Sequence, residues 1–211
     1  MLERVGHVVG GSPALWLPER LEGDVIGVDR GALELVKRGV AFDVALGDFD
    51  SVSADEKQRI KAHAKQLIEL EAEKDVTDCE AAVDHLVKAG HRLIYLYGVT
   101  GGRLDHQLSL MALMLKCLKR GIQLVVRDAQ NELKLLAPGR HTLPKDTVKT
   151  YVSFFAQENQ VDGLTTFGLK YPLSNYTLTL EDTLCVSNEL VASEATVVFE
   201  AGYLLVVRSG D

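Results

Sequence analysis

Two short turns hold four aspartates with the spacing of a metal or phosphate site. Asp48 and Asp50 stand one residue apart in GDFDS, and Asp75 and Asp78 stand in EKDVTDCE. Carboxylates held this close repel one another unless a cation lies among them. Mg2+ prefers oxygen ligands, keeps several waters and shares carboxylates with substrate phosphates. We therefore predict that these aspartates are catalytic and bind Mg2+, although a single D-x-D would equally fit a helix cap beside a solvated residue.

A glycine-rich turn, GVTGGRLDH at residues 98–106, has the composition of a phosphate-binding turn. Gly101 and Gly102 let a ligand approach the backbone, and the helix predicted to follow offers unpaired N–H groups. Arg103 adds a cation with forked donor geometry. The turn matches neither the dinucleotide-binding fingerprint nor the Walker A pattern. The alternative is a tight turn in which Arg103 pairs with a surface carboxylate.

An alternating pattern of strands and helices precedes and follows these turns. Amphipathic stretches predict helices near residues 78–88 and 106–119, and short apolar runs predict strands. Such alternation is typical of a parallel sheet covered by helices. Because ligands bind at the carboxyl ends of parallel strands, the acidic and glycine-rich turns should meet at one edge. The predicted strands are Val5–Val9, Asp24–Val28, Phe42–Leu46, Gln66–Leu70, Arg92–Tyr97 and Ile122–Val126.

Helix ends are also marked in the sequence. Ser53 with Glu56, and Thr77 with Glu80, have the capping-box spacing of a helix start. Gly121 stands where a glycine usually ends a helix. These signals place helix starts directly after the two acidic turns.

The pattern changes after about residue 130. Strand-like segments separated by polar turns follow, and no helix is predicted there. The predicted fold class is therefore an α/β N-terminal domain with a mainly parallel, Rossmann-like sheet, followed by an all-β C-terminal sandwich. The predicted domain bounds are 1–128 and 129–211.

Composition excludes several classes of protein. The net charge of −7 disfavours a nucleic-acid binder, whereas hydrophobic residues at 46% allow a buried core. The three cysteines form no C-x-x-C pair, which favours reduced thiols in the cytoplasm. The N-terminal residues make a poor signal peptide and no run is long enough to cross a membrane. We therefore expect a cytoplasmic protein that binds neither nucleic acid nor membrane.

Together, these motifs resemble the thiamine pyrophosphokinase (thiamin diphosphokinase) family. GDFDS, KDVTDCE and GGRLDH occur in the family's order, and GLKYPL and LCVSNEL follow them, so the resemblance covers most of the chain. The chain departs from the pattern at one point, because many members read Asp-Gly-Gly where it has Asp29-Arg30-Gly31.

The resemblance implies an activity and an assembly. Residues 1–128 would bind ATP and Mg2+ and carry out catalysis, and residues 129–211 would bind thiamine. The hydroxyl of thiamine would attack the β-phosphorus of ATP, a pyrophosphoryl group would move, and AMP would leave. The protein would be a homodimer with the active site near the subunit interface.

The resemblance also assigns individual residues. The four aspartates of the acidic turns correspond to the family's Mg2+ and phosphate region, and either Asp75 or Asp78 could accept the hydroxyl proton. Ser187 and Asn188 match the segment that meets the pyrimidine ring of thiamine. The residues on the ATP side are Asp29, Gly31, Thr77, Gly101, Gly102, Arg103 and Asp105.

Two other functions fit parts of the pattern. Residues 48–52, DFDSV, resemble the D-x-D-x-[TV] turn of haloacid-dehalogenase-type, Mg2+-dependent phosphatases, whose first aspartate is a nucleophile. That family places the turn after its first strand, whereas two predicted strands precede it here. A non-enzymatic nucleotide sensor would bind ATP without releasing AMP.

Overall fold

A computed structural model describes residues 4–71, 73 and 75–211. The chain divides into two compact units, residues 1–129 (the N-terminal unit) and residues 130–211 (the C-terminal unit). Among the described residues, no helix has the length and apolar character needed to span a membrane.

The described part of the N-terminal unit contains a parallel sheet of six strands. The spatial order is β6-β5-β1-β2-β3-β4. The chain therefore moves outward from β1 to β4, returns to the other side of β1 for β5, and continues to β6. The strands are β1 (Val5–Val9), β2 (Asp24–Val28), β3 (Val44–Gly47), β4 (Gln66–Glu69), β5 (Leu93–Tyr97) and β6 (Gln123–Arg127).

The reversal of strand order beside β1 creates a topological switch point. Open α/β sheets bind ligands outside the carboxyl ends of the strands at such a point. The turns that leave β1 and β5 adjoin there, because Gly10 N donates to Tyr97 O at 2.8 Å and Ser12 N donates to Gly98 O at 3.0 Å. The fold thus predicts a binding site at these two turns.

Four helices connect the strands in the described part of this unit. Those after the acidic turns begin as predicted: Ser53 and Glu56 form a complete capping box, and the Thr77 side chain accepts from Glu80 N at 3.2 Å. Gly121, with φ of 71°, follows the last helix. The helices are α1 (Arg30–Arg38), α2 (Ala54–His63), α3 (Asp78–Lys88) and α4 (Leu104–Lys119).

The structure corrects some boundaries. The third strand begins at Val44 rather than Phe42, because the side chain of Asp43 accepts the Val25 N–H at 2.8 Å in place of a backbone carbonyl. Helix α4 begins at Leu104, two residues before the predicted start. Helix α1 was not predicted; it has only 9 residues and no side-chain cap at its start.

His7 on β1 is a buried histidine that should couple the stability of the N-terminal unit to pH. Its ring is buried, stacks near Tyr95 and Tyr97 at centroid distances of 5.8 and 5.9 Å, and lies 3.1 Å from Glu22 O. The ring atom Nδ1 is buried without a hydrogen-bond partner among the described residues. Burial is the main cause that lowers the pKa of His7 below its usual value.

We therefore expect the free energy of unfolding to fall as the pH drops below about 6.5. In this range the unfolded chain binds a proton at His7 and the folded chain does not. The free energy of unfolding then falls by up to about 1.4 kcal/mol for each pH unit. His7→Phe should flatten this slope in denaturant titrations between pH 5 and 7. The same variant at pH 8, where His7 is neutral in both states, gives the packing cost alone. An unchanged slope would contradict this role of His7.

The C-terminal unit, all of which the structure describes, contains two antiparallel sheets and no helix. One sheet has the order β12-β9-β14-β7 and the other β11-β10-β13-β8. Their buried side chains form one core that includes Phe154, Val161, Leu178 and Phe199. The strands are β7 (Asn131–Leu136), β8 (Gly139–Pro144), β9 (Tyr151–Ala156), β10 (Gln160–Phe167), β11 (Tyr176–Thr179), β12 (Asn188–Glu189), β13 (Glu194–Phe199) and β14 (Leu204–Ser209). The predicted fold class is confirmed for both units.

Candidate active site

A cavity of about 660 Å3 opens at the carboxyl edge of the parallel sheet in the N-terminal unit. The turns after β1, β2, β3 and β5 line it, together with the first residues of α3 and one side of α4 from His106 to Leu113. Such a volume is typical of a small-molecule site. The predicted site residues that line it are Asp29, Asp48, Asp50, Thr77, Asp78, Gly102 and Arg103.

The turn GDFDS is held in shape by carboxylates. Asp48 Oδ1 accepts the Asp50 N–H at 3.1 Å, and Asp29 Oδ1 accepts the Phe49 N–H at 3.1 Å. Asp29 and Phe49 both have positive φ, 47° and 59°, a conformation uncommon outside glycine. Gly47 permits this approach, since a Cβ there would lie 1.8 Å from Asp29 Oδ1. Asp29 therefore positions the turn that carries Asp48 and Asp50.

The carboxylates around Asp29 are close enough to act on one another. The pKa of Asp29 is raised to about 6, first by burial and then by the charges of Asp78, Asp48 and Asp50, against the hydrogen bond from Phe49 N. Acidic groups from three separate turns therefore gather at one edge. A cation bound among them would relieve the repulsion.

The residues present fit a hydrated divalent ion better than a complete protein cage. No group of three or more His, Cys, Asp or Glu side chains within residues 4–71, 73 and 75–211 is arranged to hold a metal. Mg2+ does not need such a group, because it commonly binds one or two carboxylates, several waters and substrate phosphates. The clustered aspartates can supply that number of ligands.

Asp75 and Asp78 occupy different positions in the second acidic turn. Asp78 is the first residue of α3 and lines the cavity, as does its cap Thr77. Asp75 is exposed and is not among the lining residues, and Lys74 of the same motif lies outside the described residues. Cys79 also lines the cavity, but burial raises the pKa of its thiol to about 12, which disfavours the thiolate form.

Sequence reasoning missed the turn after β1. Gly10, Gly11 and Ser12 line the cavity, and the Ser12 hydroxyl donates to Thr100 O in the glycine-rich turn. The signal was present, because GGS directly follows a buried strand at the edge where ligands bind. The Thr100 hydroxyl in turn donates to Asp128 Oδ2 at 2.7 Å, which fixes the turn after β5 to the end of β6.

Arg103 is paired within the glycine-rich turn. Its Nη2 and Nε donate to the two carboxylate oxygens of Asp105 at 2.5 and 3.1 Å, and both side chains are exposed. The hydrogen bond from Arg103 is the main cause that lowers the pKa of Asp105 to about 2. In the orientation of its amide that satisfies both neighbours, the Gln107 oxygen accepts from Gly101 N at 3.1 Å and Gly102 N at 3.2 Å. A phosphate must therefore displace these contacts to use this helix start.

Gly31 has a packing role. A Cβ at Gly31 would lie 2.0 Å from Val9 O, so α1 can approach the end of β1 only with glycine there. We expect Gly31→Ala to lower the free energy of unfolding by about 1–3 kcal/mol, as overpacking does. Gly102→Ala is the matched control, because no atom lies within 4 Å of a Cβ at Gly102. Equal stability of the two variants in denaturant titrations would contradict this assignment.

The two residues assigned to thiamine lie in the C-terminal unit. The buried Asn188 side chain donates from Nδ2 to Tyr171 O at 2.7 Å and accepts from Tyr171 N at 3.1 Å and Glu189 N at 2.9 Å. Ser187 has φ of 57°, and its N–H donates to Ser153 Oγ at 3.0 Å. Asn188 thus holds the backbone of Tyr171, a residue that is 63% exposed.

We expect Asn188→Ala to destabilise the C-terminal unit by about 1–3 kcal/mol, because three part-buried backbone groups of Tyr171 and Glu189 lose their hydrogen-bond partner. Asn188→Asp keeps the oxygen that accepts from Tyr171 N, so it should lose less stability there than Asn188→Ala does. Its second oxygen, however, repels Tyr171 O. Thermal unfolding of the variants measures both effects. An Asn188→Ala variant as stable as the wild type would show that the hydrogen bonds of the Asn188 side chain do not stabilise the unit.

The fold and the cavity define a class: a Rossmann-like protein with a ligand cavity at the carboxyl edge of its sheet, followed by a β-sandwich. Two family models match, "Thiamin pyrophosphokinase, catalytic domain" over residues 21–126 and "Thiamin pyrophosphokinase, vitamin B1 binding domain" over residues 140–204. The chain belongs to the thiamin pyrophosphokinase family.

Individual relatives agree with the family models. Thiamine pyrophosphokinase of Bacillus subtilis (strain 168) is 38% identical over an alignment 211 positions long, which covers 97% of this chain and 98% of that protein. The crystal structure of thiamine pyrophosphokinase from Bacillus subtilis is similar with a TM-score of 0.90 at 36% identity, covering 99% of this chain and 100% of that one. That of thiamin pyrophosphokinase from Geobacillus thermodenitrificans gives 0.87 at 39% identity, with 98% of each chain covered.

Proposed function

We propose that the protein transfers a pyrophosphoryl group from ATP to thiamine and releases thiamine diphosphate and AMP. The observation that carries this proposal is the match of both family models, in order, to a chain whose N-terminal unit holds an acidic cavity. ATP would bind in that cavity. Thiamine would bind through the C-terminal unit, which contains Ser187 and Asn188. The enzyme would act as a cytoplasmic homodimer with the active site near the subunit interface, and its three free cysteines fit a reducing compartment.

Mg2+ is the metal that this chemistry and these oxygen ligands favour. Asp48, Asp50 and Asp78 would hold it within the cavity, and we keep Asp75 as a further ligand from the same turn. The bound ion supplies charge neutralisation on the nucleotide phosphates and a template for them.

The residues of the chain then align the two substrates. The thiamine hydroxyl oxygen forms a bond to the β-phosphorus, the bond between that phosphorus and the oxygen bridging to the α-phosphorus breaks, and AMP leaves. The hydroxyl proton passes to the carboxylate of Asp75 or Asp78. Gly101, Gly102 and Arg103 would contact the phosphates, with Arg103 exchanging Asp105 for a phosphate oxygen. Because phosphoryl-type transfer needs little covalent help, this alignment is the main contribution of the protein.

The phosphatase alternative is not favoured. Its nucleophilic turn would follow the first strand, whereas GDFDS follows β3. The Asp48 carboxylate also accepts the Asp50 N–H at 3.1 Å, which ties it to its own turn. A nucleotide sensor would need neither the second family domain nor a proton acceptor in the cavity.

A direct assay tests the proposed reaction. The protein with ATP, Mg2+ and thiamine should form AMP and thiamine diphosphate in equal amounts, and it should form neither when thiamine is omitted. Mass spectrometry of the recovered protein should show no covalent phosphate. Phosphate on an aspartate with release of orthophosphate would instead support the phosphatase, and ATP binding without AMP release would support the sensor.

A further inference from the structure

Arg30 is a cation of the cavity to which the sequence assigns no role. It is the first residue of α1, it is exposed, and it lines the cavity with Asp29, Asp48 and Asp50. Its side chain makes no hydrogen bond or ion pair with any residue that the structure describes. The other arginine of the described lining, Arg103, is held by both carboxylate oxygens of Asp105.

The position of Arg30 in its helix is unfavourable without a ligand. The start of a helix carries partial positive charge, so a cation there is repelled. No acidic residue stands in the first turn of α1 to offset it, and the carboxylate of the cap residue Asp29 is turned away to the Phe49 N–H. A cation at the start of a helix is locally unfavourable, and such an unfavourable placement beside a cavity is typical of a functional residue.

Packing sets where the Arg30 side chain can lie. A Cβ added at Gly11 would be 2.7 Å from Arg30 Cβ, so the stem of Arg30 leaves α1 directly beside the turn after β1. That turn presents Gly10, Gly11 and Ser12 to the same cavity. The Arg30 guanidinium group and the backbone of the turn after β1 can therefore contact the same ligand.

One carboxylate that could compete for Arg30 is that of Glu56 on α2, and it is already used. Glu56 Oε2 accepts the Ser53 N–H at 2.9 Å within the capping box. The main cause that lowers the pKa of Glu56 is this bond to Ser53, and the charge of Arg30 contributes least among the causes. Glu80, another lining carboxylate, is paired with Lys116 at 2.5 Å.

We propose that Arg30 binds the polyphosphate chain of the nucleotide through its forked guanidinium donors. This assignment rests on the proposed function for the identity of the nucleotide. The cavity is rich in carboxylates, so a polyanion can enter only with cations beside it. Arg30 supplies a permanent positive charge there and, unlike Arg103, does not have to leave a carboxylate partner first. A guanidinium group matches two phosphate oxygens at once, which an ammonium group cannot do.

Arg30→Ala, Arg30→Lys and the control Lys37→Ala test the assignment. Lys37 lies on the same helix but is paired with Glu34 at 2.8 Å, away from the cavity lining. We expect Arg30→Ala to raise the Kd for ATP with Mg2+, measured by calorimetry without thiamine, at least tenfold. Arg30→Lys should recover part of the loss, and Lys37→Ala should bind as the wild type does. In turnover assays, Arg30→Ala should raise KM for ATP at least tenfold and change KM for thiamine less than twofold.

Two further readouts separate this role from a structural one. Arg30→Ala should unfold close to the wild-type temperature, because the Arg30 side chain makes no hydrogen bond or ion pair with any residue that the structure describes. The dependence of the ATP Kd on salt concentration should also weaken in Arg30→Ala. A wild-type Kd for ATP in Arg30→Ala, or a lost affinity that tracks lost thermal stability, would overturn the proposal. If the wild type bound ATP but formed no AMP with thiamine, the proposed function would fail while the binding result for Arg30 stood.

Discussion

Replacing Asp50 by asparagine is expected to slow thiamine-dependent AMP formation by about 10³-fold, the size of effect seen when one preorganised electrostatic group is removed. Asp50 lies in the carboxylate cluster of the cavity, and its charge contributes to the raised pKa of Asp29. Its backbone N–H, not its side chain, bonds to Asp48 Oδ1. The variant therefore loses a charge without losing the contact that shapes the turn.

The fold should be almost unchanged in Asp50→Asn. We expect its melting temperature to equal that of the wild type or exceed it slightly, since one of several repelling carboxylates is gone. Asp55→Asn is the matched control, because Asp55 is an exposed carboxylate five residues away in the first turn of α2 and outside the cavity lining. If Asp50→Asn made AMP at the wild-type rate under saturating Mg2+, the assignment of Asp50 to metal or phosphate binding would be wrong.

Asp29→Ala is expected to lower kcat by about 10²-fold, because a displacement of catalytic groups by roughly 1 Å can cost that much. The Asp29 carboxylate holds Phe49 N at 3.1 Å and lies against Gly47, so it fixes both sides of the turn that carries Asp48 and Asp50. Asp29→Asn keeps an acceptor oxygen for Phe49 N, and asparagine tolerates positive φ. We expect Asp29→Asn to retain more activity than Asp29→Ala.

The same residue links activity to stability, because its pKa is raised from the ordinary value of 3.8 to about 6. The folded protein binds a proton at Asp29 more tightly than the unfolded chain does. The stabilising effect of that protonated form is therefore present at low pH, decreases as the pH rises from about 4 to about 6, and is absent above that range. Without added metal, Asp29→Asn should thus be more stable than the wild type at pH 7, and the difference should shrink towards pH 4.

Unfolding measurements at pH 4 and pH 7 test the effect of Asp29 on stability, and kcat tests its role in positioning the acidic turn. If Asp29→Asn were less stable than the wild type at pH 7 without metal, this would contradict a raised pKa of Asp29 in the folded protein. If Asp29→Ala kept full kcat, the carboxylate would not position the acidic turn.

The order of strands and helices in the N-terminal unit could be predicted because periodicity and capping signals are local. The sequence 53–56 specifies both partners of its capping box, and Gly121 has the positive φ that a helix end favours. Helix α1 could not be predicted, since it lacks a side-chain cap and begins with a cation. The start of β3 was missed because the Asp43 side chain replaces a backbone partner of Val25, a contact between distant residues.

The candidate site could be predicted in part. The carboxyl ends of parallel strands share an edge, so the sequence placed Asp48, Asp50 and Asp78 together, and the structure lines one cavity with all three. The pairing of Arg103 with Asp105 was open between two interpretations, because sequence spacing alone does not decide whether a cation meets a ligand or a neighbour. The four assignments to metal binding stay predictions.

The residues assigned to thiamine illustrate a different gap. Their motif identified the segment, but it could not show that the Asn188 side chain is used on the backbone of Tyr171. Hydrogen bonds between residues 17 positions apart depend on how the sandwich folds. A local sequence pattern does not predict such contacts, so only the structure shows that the Asn188 side chain binds the backbone of Tyr171.

The fate of labelled phosphate tests the central claim most directly. The protein is incubated with Mg2+, thiamine and ATP labelled at the γ-phosphorus, and the products are separated. We expect all transferred label to appear in thiamine diphosphate, with unlabelled AMP in equal amount and no ADP. Label recovered as orthophosphate, or ADP formed beside thiamine monophosphate, would contradict transfer of an intact pyrophosphoryl group by this site.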